Sequence, residues 1–300
     1  TVGGATIHCW KHGGHGDQTF LQVVENSCNP GFVDLGLRIG KETLFNYIDN
    51  FGFGEVTGID LNGEASGIIF DIDKIGDLEL ATTSFGQGVA VTPIQQVTAV
   101  SAAINGGTLY TPYIVKSLNE PETNSVIVNY EPQIVRKVIS ENTSAQVRYA
   151  LESVVANGTG RNAYISNYRV GGKTGTAQKV QDGKYLVGNY ITSFMGFLPA
   201  DDPEVVVYIA IDNAKGVTQY GGTIAAPIAK NVLNSAISAL GIEERYDGMT
   251  KEYNYGDKRY YTVGNVVGME TKEAISNLKP FKVEFSGSGS KVIYQSPSVG

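Results

Sequence analysis

The stretch "VGGKTGTAQK" at residues 170–179 decides the fold of this chain. The residues before and after it, "NYRV" and "VQDGKYLVGNYITSF", are typical of β-strands. Glycine weakens a strand unless something has to approach the backbone closely, and three glycines stand here: Gly171, Gly172 and Gly175. The sequence therefore predicts an edge strand along which an extended ligand lies, with the glycines admitting it.

Lysine and threonine side chains on the same stretch indicate what that ligand carries. Lys173 is followed by Thr174 and Thr176, so an ammonium and two hydroxyls share one short segment. Such a slot binds a carboxylate through charge-assisted hydrogen bonds, and an extended peptide can add to the edge as a further strand. The alternative is that the lysine only protects an exposed edge against aggregation. This stretch alone leaves both alternatives open.

The composition excludes several classes of protein. The 300 residues are 42% hydrophobic and 18% charged, which is ordinary for a globular chain with one large domain or a large and a small one. The net charge of −7, with no basic run, argues against nucleic acid as a partner. The longest aliphatic run, "VVVYIAI" at residues 205–211, is too short to span a bilayer and predicts a buried strand.

The two cysteines, Cys9 and Cys28, allow at most one disulfide. Around the first of them, "HCWKHGGH" at residues 8–15 also contains three histidines: His8, His12 and His15. Their spacing fits none of the usual zinc patterns, and the segment lacks a second half-site. We therefore expect a histidine-rich surface loop, no metal and no cofactor.

The order of the expected elements indicates an α+β fold. Periodicity and capping signals predict helices at 17–40 (with Asp17 as N-cap), 41–54, 91–107, 140–160 and 223–241, a hairpin at 110–130, and strands at 168–180, 190–198 and 205–212. Because helices and strands are segregated, we expect an antiparallel sheet flanked by helices in a domain of residues 1–241. Residues 242–260 are polar and tyrosine-rich, as in a linker, and residues 261–300 predict a small module of one helix and two strands.

A second motif, upstream of the predicted edge strand, indicates which class of site the strand belongs to. In "NSCNPG" at residues 26–31, Ser27 and Asn29 stand two apart where a helix gives way to "NPG". Ser-x-Asn followed by Lys-Thr-Gly is the motif pair shared by penicillin-binding proteins and serine β-lactamases, which act around a nucleophilic Ser-x-x-Lys. Ser-x-Asn is weak by itself, but "KTGT" after glycines and before a strand is specific, and the order of the two motifs is right.

Further blocks make the resemblance close. "FGQGVAVTPIQQVTAVSAAINGG", "VVANGTGRNA", "SFMGFLPADDPE" and "YGGTIAAPIAK" resemble the transpeptidase domain of class B penicillin-binding proteins over residues 1–241. The tail, residues 261–300, is similar to a PASTA module that stops before its final strand. A PASTA tail together with a cysteine inside the middle motif most resembles the sporulation-specific members of the class.

The resemblance implies a penicillin-binding fold and D,D-transpeptidation of peptidoglycan stem peptides through a serine acyl-enzyme, with β-lactams as acylating mimics. It implies that Ser27 passes a proton toward the leaving nitrogen and that Asn29 hydrogen-bonds the substrate amide. Lys173, with the hydroxyls of Thr174 and Thr176, would hold the terminal carboxylate, beside Gly175. The backbone N–H of Thr176 would form half of an oxyanion hole, a donor whose loss costs roughly 3–4 kcal/mol.

The resemblance also implies partners and a location: a glycosyltransferase of the cell-wall machinery, and the extracytoplasmic face of the cell membrane. The chain opens at "TVGGATIHCW", without a methionine or a signal peptide, as a fragment or a processed product would. The family's Ser-x-x-Lys lies several tens of residues before Ser-x-Asn, and none of the 26 residues before Ser27 begins one. We therefore expect the nucleophile and the N-terminal membrane anchor to be absent from this chain, and the chain alone to be inactive.

Three other matches are interpreted as decoys. "SNLK" at residues 276–279 and "SGSK" at residues 288–291 fit Ser-x-x-Lys, but they follow the Lys-Thr-Gly strand and lie in the tail. "EPETN" at residues 120–124 resembles the loop that holds the deacylating glutamate of class A β-lactamases, yet it is also ordinary turn chemistry within the expected hairpin. A serine β-lactamase and a non-catalytic β-lactam- or muropeptide-binding protein remain the alternative functions.

Cys28 lies inside the Ser-x-Asn motif, and the other cysteine, Cys9, is nineteen residues away. One hypothesis is a redox switch, in which a bridge between the two distorts the Ser27 segment outside the cytoplasm. The alternative is a pair of small, idle thiols.

Overall fold

The strand predicted around residues 170–179 lies at the edge of a three-stranded antiparallel sheet in the computed structural model of this chain. The sheet has the order β5 (Gly171–Gln181), β6 (Lys184–Leu198) and β7 (Val205–Asp212). The structure describes residues 1–181, 184–251, 263–278 and 281–299. Within these ranges β5 pairs only with β6, so its other edge carries backbone groups with no strand partner.

The helices and the remaining strands fall largely where the sequence predicts them. The helices are α1 (Phe20–Glu25), α2 (Asn29–Ile39), α3 (Lys41–Asn50), α4 (Asp77–Ser84), α5 (Pro93–Ile104), α6 (Glu141–Ala156), α7 (Gly221–Leu240) and α8 (Thr271–Asn277). The short strands are β1 (Thr108–Thr111), β2 (Ser117–Asn119), β3 (Val126–Asn129) and β4 (Gln133–Lys137). The predicted α+β class, with an antiparallel sheet flanked by helices, is confirmed.

Helix α7 forms much of the core beneath the sheet. Its buried positions recur every three or four residues, which places them on one face: Ala225, Ala226, Ala229, Leu233 and Ile237. This face packs with Phe194 and Leu198 of β6, both fully buried. Each such large side chain contributes on the order of 1.5–3 kcal/mol by leaving water, so α7 and the sheet hold β5 firmly in place.

The first predicted helix is broken in two, which is a correction to the sequence prediction. Thr19, not Asp17, caps α1 and forms a reciprocal capping box with Gln22. The helix ends at Asn26, and α2 begins only after Cys28. Pro30 explains the break, because a proline is tolerated in the first turn of a helix but clashes with a helix that arrives from upstream.

Several other boundaries differ from the prediction. Helix α4 was missed, because it is short and begins in a polar segment directly after Gly76. The predicted hairpin of residues 110–130 exists as the antiparallel pair β2 and β3. Strand β1, which overlaps the start of that range, is not part of the hairpin and pairs antiparallel with β4. The "EPETN" segment is the turn of that hairpin, where Asn124 N–H donates to Glu120 O at 2.9 Å. The turn interpretation is therefore confirmed.

The chain divides into two compact units, Thr1–Glu252 and Tyr253–Gly300. The predicted linker of residues 242–260 lies only partly in the described ranges, and its first residues belong to unit one, since Arg245 pairs with Asp201 at 2.7 Å. In the second unit α8 matches the predicted helix. The two predicted strands are not found among its described residues, which hold an isolated bridge between Glu270 and Lys291. No helix in the described part of the chain has the length and apolar character needed to cross a membrane.

Candidate active site

The two motifs meet through a direct hydrogen bond. Lys173, on β5, donates from Nζ to Ser27 Oγ at 2.7 Å and to the backbone oxygen of Thr174 at 3.1 Å. Ser27 lies in the break between α1 and α2, with a φ of +50°. This left-handed conformation costs a non-glycine residue roughly 1–2 kcal/mol, so the surrounding contacts impose it. The sequence prediction that Ser27 and Lys173 belong to one site therefore agrees with the geometry.

Lys173 is a desolvated cation with no carboxylate partner in the described part of the chain. Burial lowers the pKa of its ammonium from the usual 10.5 to about 8. The residue as a whole keeps partial exposure, because its backbone runs along the open edge of β5, while the ammonium itself points inward to Ser27. Within the described ranges both of its hydrogen bonds go to uncharged oxygens. An anion that reached this ammonium would therefore find a charge that the protein has not neutralised.

The two threonine hydroxyls on the strand are held by neighbouring elements. Thr176 Oγ1 accepts a hydrogen bond at 3.1 Å from the N–H of Gly221, the first residue of α7. The hydroxyl hydrogen of Thr176 is consequently left to donate elsewhere. Thr174 Oγ1 shares a hydrogen bond of 3.0 Å with Thr159 Oγ1. The ammonium and both hydroxyls thus occupy one segment, as the sequence predicts.

Thr159 and Glu25 are two positioning residues that the sequence analysis missed. Thr159 donates from its backbone N–H and its hydroxyl to Glu25 O, at 2.9 and 3.2 Å. The Glu25 carboxylate in turn accepts from Ser153 on α6. Because Glu25 ends α1 and Thr159 touches Thr174, these contacts tie the Ser27 segment to β5. The sequence "NGTG" around Thr159 could have indicated this close contact, because glycines flank the threonine. A side chain on Gly158 would meet Glu25 O at 2.4 Å.

Asn29 stands apart from this hydrogen-bonded group. Its Nδ2 donates to the backbone oxygen of His8 at a long 3.4 Å. In the described residues no hydrogen bond joins Asn29 to Lys173 or Ser27. Its side-chain amide is therefore only weakly engaged, and it begins α2 one residue after Cys28.

The need for glycine at three positions of β5 has a different structural cause from the one that the sequence suggested. A side chain on Gly171 would meet the Phe197 ring at 2.3 Å, and one on Gly172 would meet the Phe194 ring at 2.4 Å. At Gly175 the obstacle is Ser193 Oγ, also at 2.4 Å. These glycines therefore make room for the protein's own core and sheet neighbours on β6, not for a ligand.

The N-terminal segment packs beside the same site. Trp10, the single tryptophan, donates from Nε1 to Asn26 O at 2.7 Å. Its ring lies 6.4 Å from that of Tyr220, which caps α7, and 5.4 Å from that of His15 in an edge-on arrangement. Trp10 therefore joins the residue before Ser27 to the start of α7.

Both cysteines are free thiols, and they lie close together. Cys9 Sγ is 3.1 Å from His15 Nδ1, and one ligand atom each of Cys9, His15 and Cys28 lie within 4.8 Å of one another. Burial, and to a smaller degree Cys28, raise the pKa of the Cys9 thiol, although the backbone N–H of Lys11 opposes this. Burial and the charge of Lys11 lower the pKa of His15. The proximity of Cys9 and Cys28 was anticipated in the redox hypothesis, whereas the proximity of Cys28 to His15 was not.

The comparisons with known proteins agree with this geometry. Residues 1–234 match the family described as the penicillin binding protein transpeptidase domain. Stage V sporulation protein D of Bacillus subtilis (strain 168) is 58% identical over 100% of this chain and 46% of its own length. The peptidoglycan D,D-transpeptidase FtsI homolog of Mesostigma viride is 31% identical over 77% of this chain and 41% of its own.

Solved structures show the same likeness. Penicillin binding protein 3 from Mycobacterium tuberculosis, complexed with ampicillin, superposes with a TM-score of 0.69 at 29% identity. The match covers 78% of this chain and 54% of that one. The chain belongs to the penicillin-binding protein transpeptidase family, and the resemblance drawn from its motifs is confirmed. It spans less than half the length of the two curated relatives above.

Proposed function

We propose that this chain is the substrate-binding part of a peptidoglycan D,D-transpeptidase that β-lactams acylate. One observation carries the proposal: a desolvated lysine ammonium with no carboxylate partner in the described residues, bonded to Ser27 at an open strand edge. A peptide ending in D-alanyl-D-alanine presents an extended backbone and a terminal carboxylate. The backbone adds along β5, and the carboxylate takes the charge of Lys173.

The threonines of β5 complete the carboxylate site in this proposal. The Thr176 oxygen already accepts from Gly221, so its hydrogen is free to donate to a carboxylate oxygen. The Thr174 hydroxyl can also donate to a carboxylate oxygen, once it rotates away from the hydrogen bond with Thr159. Gly175 lies between the two. The backbone N–H of Thr176 supplies half of the oxyanion hole.

Ser27 acts as a proton relay. The nucleophilic serine oxygen bonds to the carbonyl carbon of the penultimate D-alanine, and the C–N bond to the terminal D-alanine breaks. The nucleophilic hydroxyl gives its own proton to the lysine amine of its Ser-x-x-Lys segment. Ser27 gives its hydroxyl proton to the leaving nitrogen and receives one from the ammonium of Lys173, to which it is already bonded, and Lys173 regains a proton from solvent. A lysine with a pKa of about 8 suits that exchange near neutral pH. Asn29 orients the substrate amide, and an amine of a neighbouring stem peptide then attacks the acyl-enzyme.

The nucleophile belongs, in this proposal, to a Ser-x-x-Lys segment upstream of Ser27 in the longer protein. The two matches within the chain begin at Ser276 and Ser288, both in the second compact unit, and Lys279 lies outside the described residues. Membrane anchoring, a glycosyltransferase partner and a PASTA identity for residues 261–300 are proposed from the family resemblance. A role in sporulation is supported by the name of the Bacillus subtilis relative.

The two cysteines provide a second proposal, a redox control of this site. A dithiol–disulfide exchange partner that takes two electrons and two protons would join Cys9 to Cys28. The bridge would pull on Cys28, which is next to Ser27. The backbone of Ser27 is already strained by its positive φ. Two free thiols after incubation with oxidised glutathione would rule it out.

The test of the transpeptidase proposal is the intact mass of the protein after incubation with benzylpenicillin. This chain is compared with one extended upstream to include Ser-x-x-Lys, and Lys179→Met is the control for Lys173→Met. We expect a lasting adduct on the extended chain only, formed more slowly in Lys173→Met.

Each other outcome changes the assignment. An adduct on the 300-residue chain would identify one of its own serines as the nucleophile. An adduct that hydrolyses rapidly would indicate a serine β-lactamase. No adduct on either chain would favour a non-catalytic binding protein.

A further inference from the structure

The fold brings three metal-binding side chains together from two separate stretches of the chain. Cys9 and His15 come from the N-terminal segment, and Cys28 comes from the start of α2. Their ligand atoms all lie within 4.8 Å of one another, with Cys9 Sγ and His15 Nδ1 at 3.1 Å. Cys28 is 5% exposed, while Cys9 and His15 are partly buried.

We propose that Cys9, His15 and Cys28 bind one zinc ion. In a tetrahedral zinc site the metal lies about 2.3 Å from each sulfur and about 2.0–2.1 Å from nitrogen, so its ligand atoms are about 3.5–3.8 Å apart. The separations in this cluster, from 3.1 Å to at most 4.8 Å, bracket that range. Small rotations of the three side chains are therefore enough to coordinate the ion.

The ligand types select zinc over the commoner hard cations. Two thiolates and an imidazole suit zinc, whereas magnesium and calcium prefer carboxylates, carbonyls and water. The two thiolates also neutralise the double charge of the ion. Three protein ligands leave a fourth position for water.

The surroundings of the ligands favour the metal-bound form. The backbone N–H of Lys11 donates to Cys9 Sγ at 3.4 Å, as it would to a bound thiolate. Cys28 caps α2 without a side-chain capping hydrogen bond, and this position puts it at the positive end of that helix, beside Cys9. The Trp10 ring packs edge-on against His15 and fixes the imidazole orientation.

A bound zinc would link the N-terminal segment to the residue that follows Ser27. It would also occupy both sulfurs, so that zinc binding and a Cys9–Cys28 disulfide exclude each other. The ion would act as a clip that holds the Ser27 segment in place while the thiols are reduced.

The experiment is a titration of the reduced full chain with zinc alone, in competition with a chromogenic chelator. We expect one ion per chain. Cys9→Ala and Cys28→Ala should each weaken binding by more than the roughly 10–100-fold that loss of an outer-shell partner costs. His12→Asn is the matched control, because His12 is exposed and lies outside the cluster; its affinity should equal that of the wild type.

Two measurements on the wild type avoid any dependence on the folding of variants. Zinc should protect both thiols from alkylation, and the fluorescence of Trp10, which contacts His15, should change with the same saturation. Absence of saturable one-to-one binding, or binding that survives Cys9→Ala, would overturn the proposal. Neither readout requires β-lactam acylation, so failure here is distinguishable from failure of the proposed transpeptidase function.

Discussion

Arg169 and Lys173 stand four residues apart around the start of β5, and the protein surrounds their two cations in opposite ways. Glu152, 3% exposed, is bound by Arg169 through two hydrogen bonds of 3.1 and 2.7 Å, and it also accepts from the N–H of Met249. Asp201 lies 3.1 Å from the same guanidinium. Among the residues that the structure describes, Lys173 hydrogen-bonds only the hydroxyl of Ser27 and a backbone oxygen.

The difference separates a structural role from a functional one. A buried charge that is fully paired holds segments together, here α6, the entry to β5 and residues 245–249. A buried charge without a counter-ion costs free energy of folding, and it is retained where a ligand supplies the missing charge. Each prediction below tests this contrast.

The largest effect should come from Arg169→Met. The variant leaves the Glu152 carboxylate buried without its partner, and the free energy of unfolding should fall by about 3–5 kcal/mol. Urea denaturation measures it. Lys179→Met is the control, because the side chains of the Lys179–Asp212 pair are 31% and 61% exposed, far more than Glu152, and its loss should cost at most about 1 kcal/mol. Equal losses in the two variants would show that burial does not distinguish these pairs.

Lys173→Met should not lower the free energy of unfolding, in contrast to Arg169→Met. Its stability should equal or exceed that of the wild type, because the cost of burying an unpaired ammonium disappears. The affinity for an N-acetylated L-Lys-D-Ala-D-Ala peptide should fall about 10–100-fold, since a charge-assisted hydrogen bond contributes roughly 1.5–3 kcal/mol. Calorimetric titration measures the affinity, and Lys179→Met should bind as the wild type does. A destabilised Lys173→Met that still binds the peptide would reverse the assignment.

The pH dependence sharpens the same contrast. The pKa of Lys173 is about 8 in the folded chain and 10.5 in the unfolded one, so between these values the unfolded state holds more protons. The contribution of Lys173 to stability should therefore rise with pH across that window and stay constant below it. The stability difference between Lys173→Met and the wild type should shrink from pH 8 to pH 10.5, and the affinity for the peptide carboxylate should decline above pH 8. A difference that does not change with pH would mean that the ammonium is not desolvated.

The smallest effect concerns the partner of Lys173. Ser27→Gly and Ser27→Ala remove the same hydroxyl, but only glycine relieves the positive φ. Ser27→Gly should therefore be more stable than Ser27→Ala by about 1 kcal/mol. Thermal unfolding of the two variants compares them directly. If the Ser27→Ala variant were as stable as the Ser27→Gly variant, the contacts of Glu25 and Cys28 would not be imposing the left-handed conformation on residue 27.

The sequence was sufficient where a local pattern carried the information. Lys173 and the threonines stand on a strand whose composition marks it, and Ser140, where a helix was predicted to begin, caps α6. It was insufficient where partners come from distant segments. Thr159 contacts Glu25 across 134 residues, and no local pattern records that pairing.

The misinterpretations have physical causes of the same kind. The glycines of β5 were assigned to a ligand because the phenylalanines that fill their space are on another strand, β6. The proximity of Cys28 to His15 went unrecognised because Cys28 follows α1, which returns the chain to Cys9. Apolar periodicity continues through Ser27, so the predicted helix of residues 17–40 has no break there. The "NPG" at residues 29–31, where a helix was expected to give way, carried the signal.

The hydrogen bond between Lys173 and Ser27 joins residues 146 positions apart, and this has a consequence for how the chain folds. Closing so long a loop has an entropic cost that the desolvated lysine does little to offset. We therefore expect the core of α7 and the sheet to form before β5 meets the Ser27 segment. During synthesis the first half of the site leaves the ribosome long before the second, so its assembly is a late event of folding, and mutations there should change the unfolding rate more than the folding rate.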